Sequence, residues 1–229
     1  MKIAVFGTGM VGQAIAGKLH QLNHEVVVGT RDPEQTLSRD GKNSSFRDWY
    51  AAGRPNMSIA TFADAAASAG VIFNCTSGSG SIQALQLAGS AHLEGKVLVD
   101  VSNPLDFSKG SPPFLNPGNT DSLGELIQRT FPSLRVVKSL NTMTCYLMIN
   151  PGLVPGSHNV FMSGNNAEAK EIVSNLLQSF GWRAETILDL GDITTARGTE
   201  QLLPIWLRLW GKLKSPMFNF NIVVAPSAT

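Results

Sequence analysis

The chain has 229 residues, 43% of them hydrophobic and 15% charged, and a formal net charge of +1. That length accommodates one large α/β domain with at most a small appendage, and the near-neutral balance leaves no electrostatic footprint for nucleic acid or an anionic membrane. Cys75 and Cys145 have neither metal-ligand nor disulfide-framework spacing, so no metal centre is expected and a reduced, cytoplasmic setting is.

No stretch approaches the roughly 18 apolar residues that a membrane-spanning helix needs. Met1-Lys2 runs straight into a strand pattern, with no room for a signal peptide. So few charges for the size imply that a second subunit covers part of the surface.

Residues 3–6 are an apolar run of strand formers, followed at once by Gly7-Thr8-Gly9-Met10-Val11-Gly12, with the spacing G-x-G-x-x-G. Val11, Ile15, Leu19 and Leu22 then recur at helical spacing, and residues 24–29 form a second apolar run. Strand, glycine turn, helix and strand within about 30 residues is the unit that binds a dinucleotide. Gly7 permits the tight turn, Gly9 lets the backbone approach a pyrophosphate, and Gly12 lets the helix pack closely on the sheet. The pyrophosphate would sit on the free N–H groups at the helix start.

The end of the second strand selects the dinucleotide. An NAD site places Asp or Glu about 20 residues after the first glycine; here stand Gly29-Thr30-Arg31. Gly29 leaves space, Thr30 offers a hydroxyl, and Arg31 offers a planar cation matched to a phosphate dianion. This reads as a pocket for an adenosine 2′-phosphate, hence NADP(H). The alternative is Arg31 as a solvated charge paired with Asp32.

After Arg31 the chain turns polar to Ser45, a helix start at most and then a loop. Phe46, Trp49 and Tyr50 belong to a short helix ended by Gly53. Residues 57–60 read as a strand, residues 61–69 as a helix opened by the capping box Thr61-x-x-Asp64, and residues 71–75 as a fully apolar strand. Thr76-Ser77-Gly78-Ser79-Gly80 forms a loop at the same sheet edge as the glycine turn, before a helix over 82–91. Residues 96–101 are a strand that ends in Ser102-Asn103-Pro104. Residues 106–119, rich in Gly and Pro, read as a loop long enough for a lid or a subunit contact.

A helix over 122–131 and a strand over 135–140 follow, the strand ending in Asn141-Thr142-Met143. Residues 144–149 are a short helix, 159–163 a strand, and Asn165-x-x-Glu168 caps an amphipathic helix closed by Gly181. Residues 184–188 are the last strand. Strands alternate with helices, which gives a doubly wound, mostly parallel sheet, an NAD(P)-binding Rossmann fold, over residues 1–190. Residues 191–229 form a helical C-terminal segment. Leu202, Leu203, Ile205, Trp206, Leu207, Leu209, Trp210 and Leu213 crowd its helix on nearly every face, with a kink expected at Pro204. It either joins two subunits or docks over its own core.

In an open α/β sheet the ligand lies at the carboxyl ends of the strands, where Thr8, Thr30, Thr76, Ser77, Ser102, Asn103, Asn141 and Thr142 therefore line one crevice. These are hydroxyls and amides. None of the four histidines falls at a strand end, Lys138 sits inside a strand, and no G-x-S-x-G elbow is present. No catalytic acid or base is assigned. Hydride transfer to an acceptor that manages its own protons needs only positioning and exclusion of water.

The segments GTGMVGQAIAGKLHQLNHEVVVGTR, VDVSNPLDF and VVKSLNTM resemble the family of coenzyme F420-dependent NADP reductases, and also the cytoplasmic NADPH domain of the six-transmembrane metalloreductases. The likeness covers most of the chain. It implies a homodimer that passes hydride between NADPH and a flavin or deazaflavin such as coenzyme F420. By position, it implies that Thr8, Thr30 and Arg31 hold the 2′-phosphate end and that Gly9, Met10 and Val11 hold the pyrophosphate. Thr76 and Ser77 would line the path to the nicotinamide. Asn141 and Thr142, with Met143 beside them, would flank the acceptor ring. The archaeal-type deazaflavin reductases carry His where Asn141 stands and Lys where Gln35 stands. Two other readings stay open: an NADP-dependent imine or carbonyl reductase, and a non-catalytic NADP sensor.

Overall fold

The computed structural model describes residues 1–38, 46–53 and 55–225; from residue 39 the expected polar loop to Ser45 lies outside them. In chain order the elements are β1 (Lys2–Phe6), α1 (Met10–Gln21), β2 (Glu25–Thr30), α2 (Pro33–Ser38), α3 (Phe46–Ala51), β3 (Met57–Thr61), α4 (Phe62–Ser68), β4 (Val71–Asn74), α5 (Gly78–Ala88), α6 (Ser90–Leu93) and β5 (Val97–Asp100). Then follow β6 (Leu105–Asp106), β7 (Phe114–Leu115), α7 (Leu123–Thr130), β8 (Arg135–Ser139), α8 (Cys145–Ile149), β9 (Val160–Gly164), α9 (Ala167–Phe180), β10 (Ile187–Asp189) and α10 (Ala196–Leu213).

Eight strands form one sheet in the order β10-β9-β8-β5-β4-β1-β2-β3. The six from β8 to β3 are parallel, whereas β9 runs antiparallel to β8, pairing Val137 with Gly164, and β10 lies parallel to β9. The reversal has a local cause. A parallel crossover needs a helix long enough to return along the sheet; α8 has five residues, so the chain re-enters from the edge it left.

Side-chain alternation along each strand divides the core in two. Ile3, Val5, Val26 and Val28 face a cluster with Ile15 and Leu19 of α1 and Val173, Leu177 and Phe180 of α9. Ala4, Phe6 and Val27 face the opposite cluster with Phe62 and Ala65 of α4, Leu85 of α5 and Ile127 of α7. The strands are buried on both faces and so read as continuous apolar runs.

Several local expectations are corrected. The small residues after Cys75 are not a loop: α5 already begins at Gly78 and ends at Ala88. Residues 106–119 are not wholly irregular, since β6 and β7 pair antiparallel, Leu105 with Leu115 and Asp106 with Phe114. The cap of α9 is Asn166, which accepts from the Ala169 N–H at 2.8 Å; Asn165 instead accepts from the Ile193 N–H. Residues 184–186 form a 3-10 turn, and β10 starts at Ile187.

The C-terminal helix is not covered on every face within the chain. α10 passes through Pro204 as a single element and buries Ala196, Thr199, Glu200, Leu203 and Trp206, one stripe at helical spacing. Ile205, Trp210 and Leu213 point outward. Trp206 packs against Trp210 at 5.4 Å and stacks on Phe218 at 5.5 Å. Beyond the helix, residues 215–225 run back past the start of β9, where the Asn159 N–H donates to the Phe220 carbonyl and the Ile222 N–H to Asn159 Oδ1.

Candidate functional site

β1 and β4 are neighbours in the sheet, yet the helices that follow them, α1 and α5, cover opposite faces. Outside the carboxyl ends of those two strands a crevice opens, as this topology requires. Its first part, about 400 Å³, is bounded by Gly7, Thr8, Gly9, Thr30, Arg31 and Thr76 among others. Its second part, about 290 Å³, is bounded by Val11, Ser77, Ser102, Asn103, Leu105 and Phe107. The two parts share Cys75, Thr76 and Ser77.

The three glycines of the turn differ in what demands them. At Gly7 φ is +111°, and a Cβ would stand 2.7 Å from the Cys75 carbonyl oxygen. At Gly12 a Cβ would stand 2.0 Å from the Gly7 carbonyl oxygen. Gly9 is extended, φ −73° and ψ −176°, and nothing lies within 4 Å of its Cβ position. The fold therefore requires Gly7 and Gly12, while Gly9 leaves open space at the mouth of the helix. Gln13 Nε2 steadies the turn by donating to the Thr8 carbonyl at 2.9 Å.

Helix termini separate into two kinds. α4, α7 and α9 start with a side-chain cap from Thr61, Ser122 or Asn166 and carry an acid in the first turn. α1 and α5 start with neither, as do α6, α8 and α10, but α1 and α5 do so at the crevice. Their first N–H groups and the positive ends of their dipoles are left for an anion.

Around the end of β2, Thr30 Oγ1 bonds Thr36 Oγ1 at 2.8 Å, and the Thr36 hydroxyl donates to the Asp32 carbonyl at 2.7 Å. The Asp32 carboxylate accepts the Gln35 N–H and makes no ion pair with Arg31 among the described residues. Arg31 reaches across to α5, where Nη2 donates to Gln83 Oε1 at 3.2 Å. Gly29 serves a different purpose from the one expected. Its missing side chain makes room for Phe6 and Phe62, whose rings would lie 2.7 Å and 3.2 Å from a Cβ, so the space is filled by the core.

The floor of the second part is a buried polar network that the sequence reading missed. Asn74, inside the strand that reads as fully apolar, donates through Nδ2 to Asp100 Oδ1 at 2.9 Å and to Ser81 Oγ at 3.0 Å. The Thr76 hydroxyl donates to Asn74 Oδ1 at 2.7 Å. Ser102 Oγ donates to Asp100 Oδ1 at 2.6 Å. Lys138 Nζ, fully buried, lies 2.8 Å from both Asp100 Oδ2 and Glu200 Oε1 and donates to the Ser102 carbonyl at 2.5 Å. Glu200, from α10, also accepts the Leu123 and Gly124 N–H groups at the start of α7. Burial works against the Lys138 charge, but the two carboxylates outweigh it and hold the ammonium above its ordinary pKa. The signal in the sequence was one polar residue inside each of three apolar strands, Asn74, Asp100 and Lys138.

Asn103 Nδ2 donates to the Asn141 backbone carbonyl at 2.9 Å, and Asn141 Nδ2 donates to Asn103 Oδ1 at 3.0 Å. Asn141, Thr142 and Met143 are buried in the turn after β8, and none of them is in the lining of either part of the crevice. Met10 stands exposed at the head of α1, its sulfur 4.0 Å from the Tyr146 hydroxyl. Cys75 lies between the two parts of the crevice; burial, then Asp100 and Cys145, push its thiol far above the ordinary range, so it is no thiolate nucleophile. Among the described residues no group of His, Cys, Asp and Glu could hold a metal ion.

The fold and crevice are those of a doubly wound, dinucleotide-binding α/β protein. The chain belongs to the family of coenzyme F420-dependent NADP oxidoreductases, which matches residues 2–104. A protein from Arthrobacter sp. FB24, provisionally named an F420-dependent NADP reductase, has a crystal structure that matches 98% of this chain and 100% of its own, with TM-score 0.93 and 56% identity. The F420-dependent NADP reductase of Methanothermobacter marburgensis is 27% identical over 231 residues, 97% of each protein. Metalloreductase STEAP3 of Rattus norvegicus is 30% identical over 210 residues, 90% of this chain but only 38% of that protein. A reductive aminase from Aspergillus terreus shares the fold alone, with TM-score 0.64 at 17% identity over 93% of this chain and 62% of its own. No helix among the described residues is long and apolar enough to cross a membrane.

Proposed function

We propose that this oxidoreductase binds NADP(H) in the crevice and passes hydride between the nicotinamide and a flavin or deazaflavin. Arg31 carries the cofactor reading: it stands at the end of β2 where an NAD site would hold an acid, with Gln83 and not Asp32 as its partner. The residues fit the dinucleotide, since Gly9 leaves an open side and α1 offers uncapped N–H groups. NADPH supplies the hydride; the chain's own residues bind, orient and exclude water. Apart from Arg31 and Asp32 the walls are neutral, which suits an acceptor that handles its own proton.

Arg31→Ala is expected to weaken NADPH binding by about 1.5–3 kcal/mol, the range for hydrogen bonds to a charged group, and to leave NADH binding nearly unchanged. Titration calorimetry with both cofactors decides it, and equal losses sink the phosphate-pocket reading.

In this proposal residues 1–190 form the cofactor-binding unit and residues 191–229 meet a second subunit. Support comes from Trp210, 45% exposed beside Ile205 and Leu213 on the outer side of α10, since large aromatic side chains commonly hold interfaces together. Trp210→Glu is expected to yield monomers with lowered turnover on a flavin-type acceptor and near-normal NADP affinity. Sedimentation and a cofactor titration on one sample test this; a dimeric Trp210→Glu protein rejects it.

A further inference from the structure

The second part of the crevice has one wall unlike the others. Thr76, Ser77, Ser102 and Asn103 give it hydroxyls and amides, while the β6–β7 hairpin gives it Leu105 and Phe107. Phe107 is 62% exposed, and among the described residues its ring has no aromatic or cationic partner. The hairpin's other exposed ring, Phe114, is covered by the Lys109 ammonium at 5.3 Å from its centroid.

Phe107 is not on a loose tip. The Leu105 N–H donates to the Asn103 carbonyl and the Asn116 N–H to the Pro104 carbonyl, both at 2.8 Å, so the hairpin is tied to the strand-end turn on both sides. Asp106 accepts the Ser108 N–H at 2.8 Å, and the Gly110 N–H donates to the Phe107 carbonyl at 2.9 Å. The backbone on either side of Phe107 is thereby fixed. The opposite wall is rigid as well, because the Asn103 side chain donates to the Asn141 backbone carbonyl and accepts from Asn141 Nδ2. An open aromatic face held opposite fixed polar groups is complementary to a flat ring with heteroatoms at its edge. A small aliphatic imine or carbonyl compound offers no such face.

We infer that Phe107 is the stacking wall for the ring of the proposed flavin-type acceptor. The inference rests on the cofactor reading above, since it assumes that the first part of the crevice is filled by the dinucleotide.

The test is a fluorescence titration of FMN into NADP+-saturated protein, for the wild type, Phe107→Ala, Phe107→Leu and Phe107→Trp, with NADP+ affinity measured by calorimetry. Phe107→Ala and Phe107→Leu are expected to weaken FMN binding roughly tenfold, from lost ring contact and lost apolar area, while Phe107→Trp stays within about twofold. NADP+ affinity should be unchanged in all four proteins. FMN binding by Phe107→Ala equal to the wild type overturns the inference. So does Phe107→Leu equal to the wild type, which makes the wall merely apolar, and so does a parallel loss of NADP+ affinity, which makes it part of the dinucleotide site. A wild type that binds NADP+ but no FMN overturns the flavin-type acceptor together with this wall, while the Arg31 experiment stands apart from both.

Discussion

Lys138→Met is expected to cost about 3–5 kcal/mol of stability, the range for removing one partner of a buried ion pair. The ammonium is the only cation between Asp100 and Glu200 among the described residues, and all three side chains are buried. Without it two carboxylates face each other away from solvent. Asp100 is also the acceptor that orients Ser102 and Asn74, and Glu200 holds the start of α7 and ties α10 to the sheet. One substitution thus loosens the crevice floor and the C-terminal helix together.

Urea denaturation followed by tryptophan fluorescence measures the loss; a change below about 1 kcal/mol, the level of an exposed pair, would refute the assignment. The pH dependence has a definite sign. The folded-state pKa of Lys138 is raised, so its contribution is complete below the unfolded value near 10.4 and is lost as pH rises through the folded value. In the wild type the Lys138 contribution should be present in full up to about pH 10 and be lost above it.

The first part of the crevice, which we propose for the dinucleotide, was legible in the sequence because its residues are close together and of special type. Gly7, Gly9, Gly12, Thr30 and Arg31 fall in one strand–turn–helix–strand unit whose spacing fixes their relative position. The second part, proposed for the acceptor, is built from the ends of β4 and β5, the start of α1 and a hairpin, and periodicity says nothing about which side chains meet there. Asn74, Asp100 and Lys138 could have been picked out as polar interruptions of apolar strands, since buried polar groups are rarely left without partners. Glu200, the second carboxylate on Lys138, lies too far along the chain to be paired with it by spacing. Which side of α10 faces in was not legible, because a count of apolar residues ignores direction: its inward stripe holds Thr199 and Glu200, while Ile205, Trp210 and Leu213 face out. The hairpin of residues 105–115 was invisible because each strand has two residues, too few for any alternation.

Gly9 and Gly12 look equivalent in the motif, yet replacing them should fail in opposite ways. Gly9→Val is expected to fold normally and to lose binding of both NADPH and NADH. Its backbone is extended and its Cβ direction is empty, which suits a β-branched residue; the isopropyl group would occupy the space left for the pyrophosphate. A stability loss of about 1 kcal/mol or less is expected, the scale of a helix N-cap change. Gly12→Ala adds a single methyl, but places it 2.0 Å from the Gly7 carbonyl oxygen. That oxygen belongs to a turn already fixed by the positive φ of Gly7 and by close contact with Cys75, so α1 has to lift off the sheet. The expected cost is about 1–3 kcal/mol or more, as for overpacking elsewhere, with cofactor binding lost because the helix start has moved. Thermal melts and calorimetry on both variants separate the two effects: a stable, non-binding Gly9→Val beside a destabilised Gly12→Ala supports the division. A Gly9→Val protein that binds NADPH with unchanged affinity would place the pyrophosphate somewhere other than this turn.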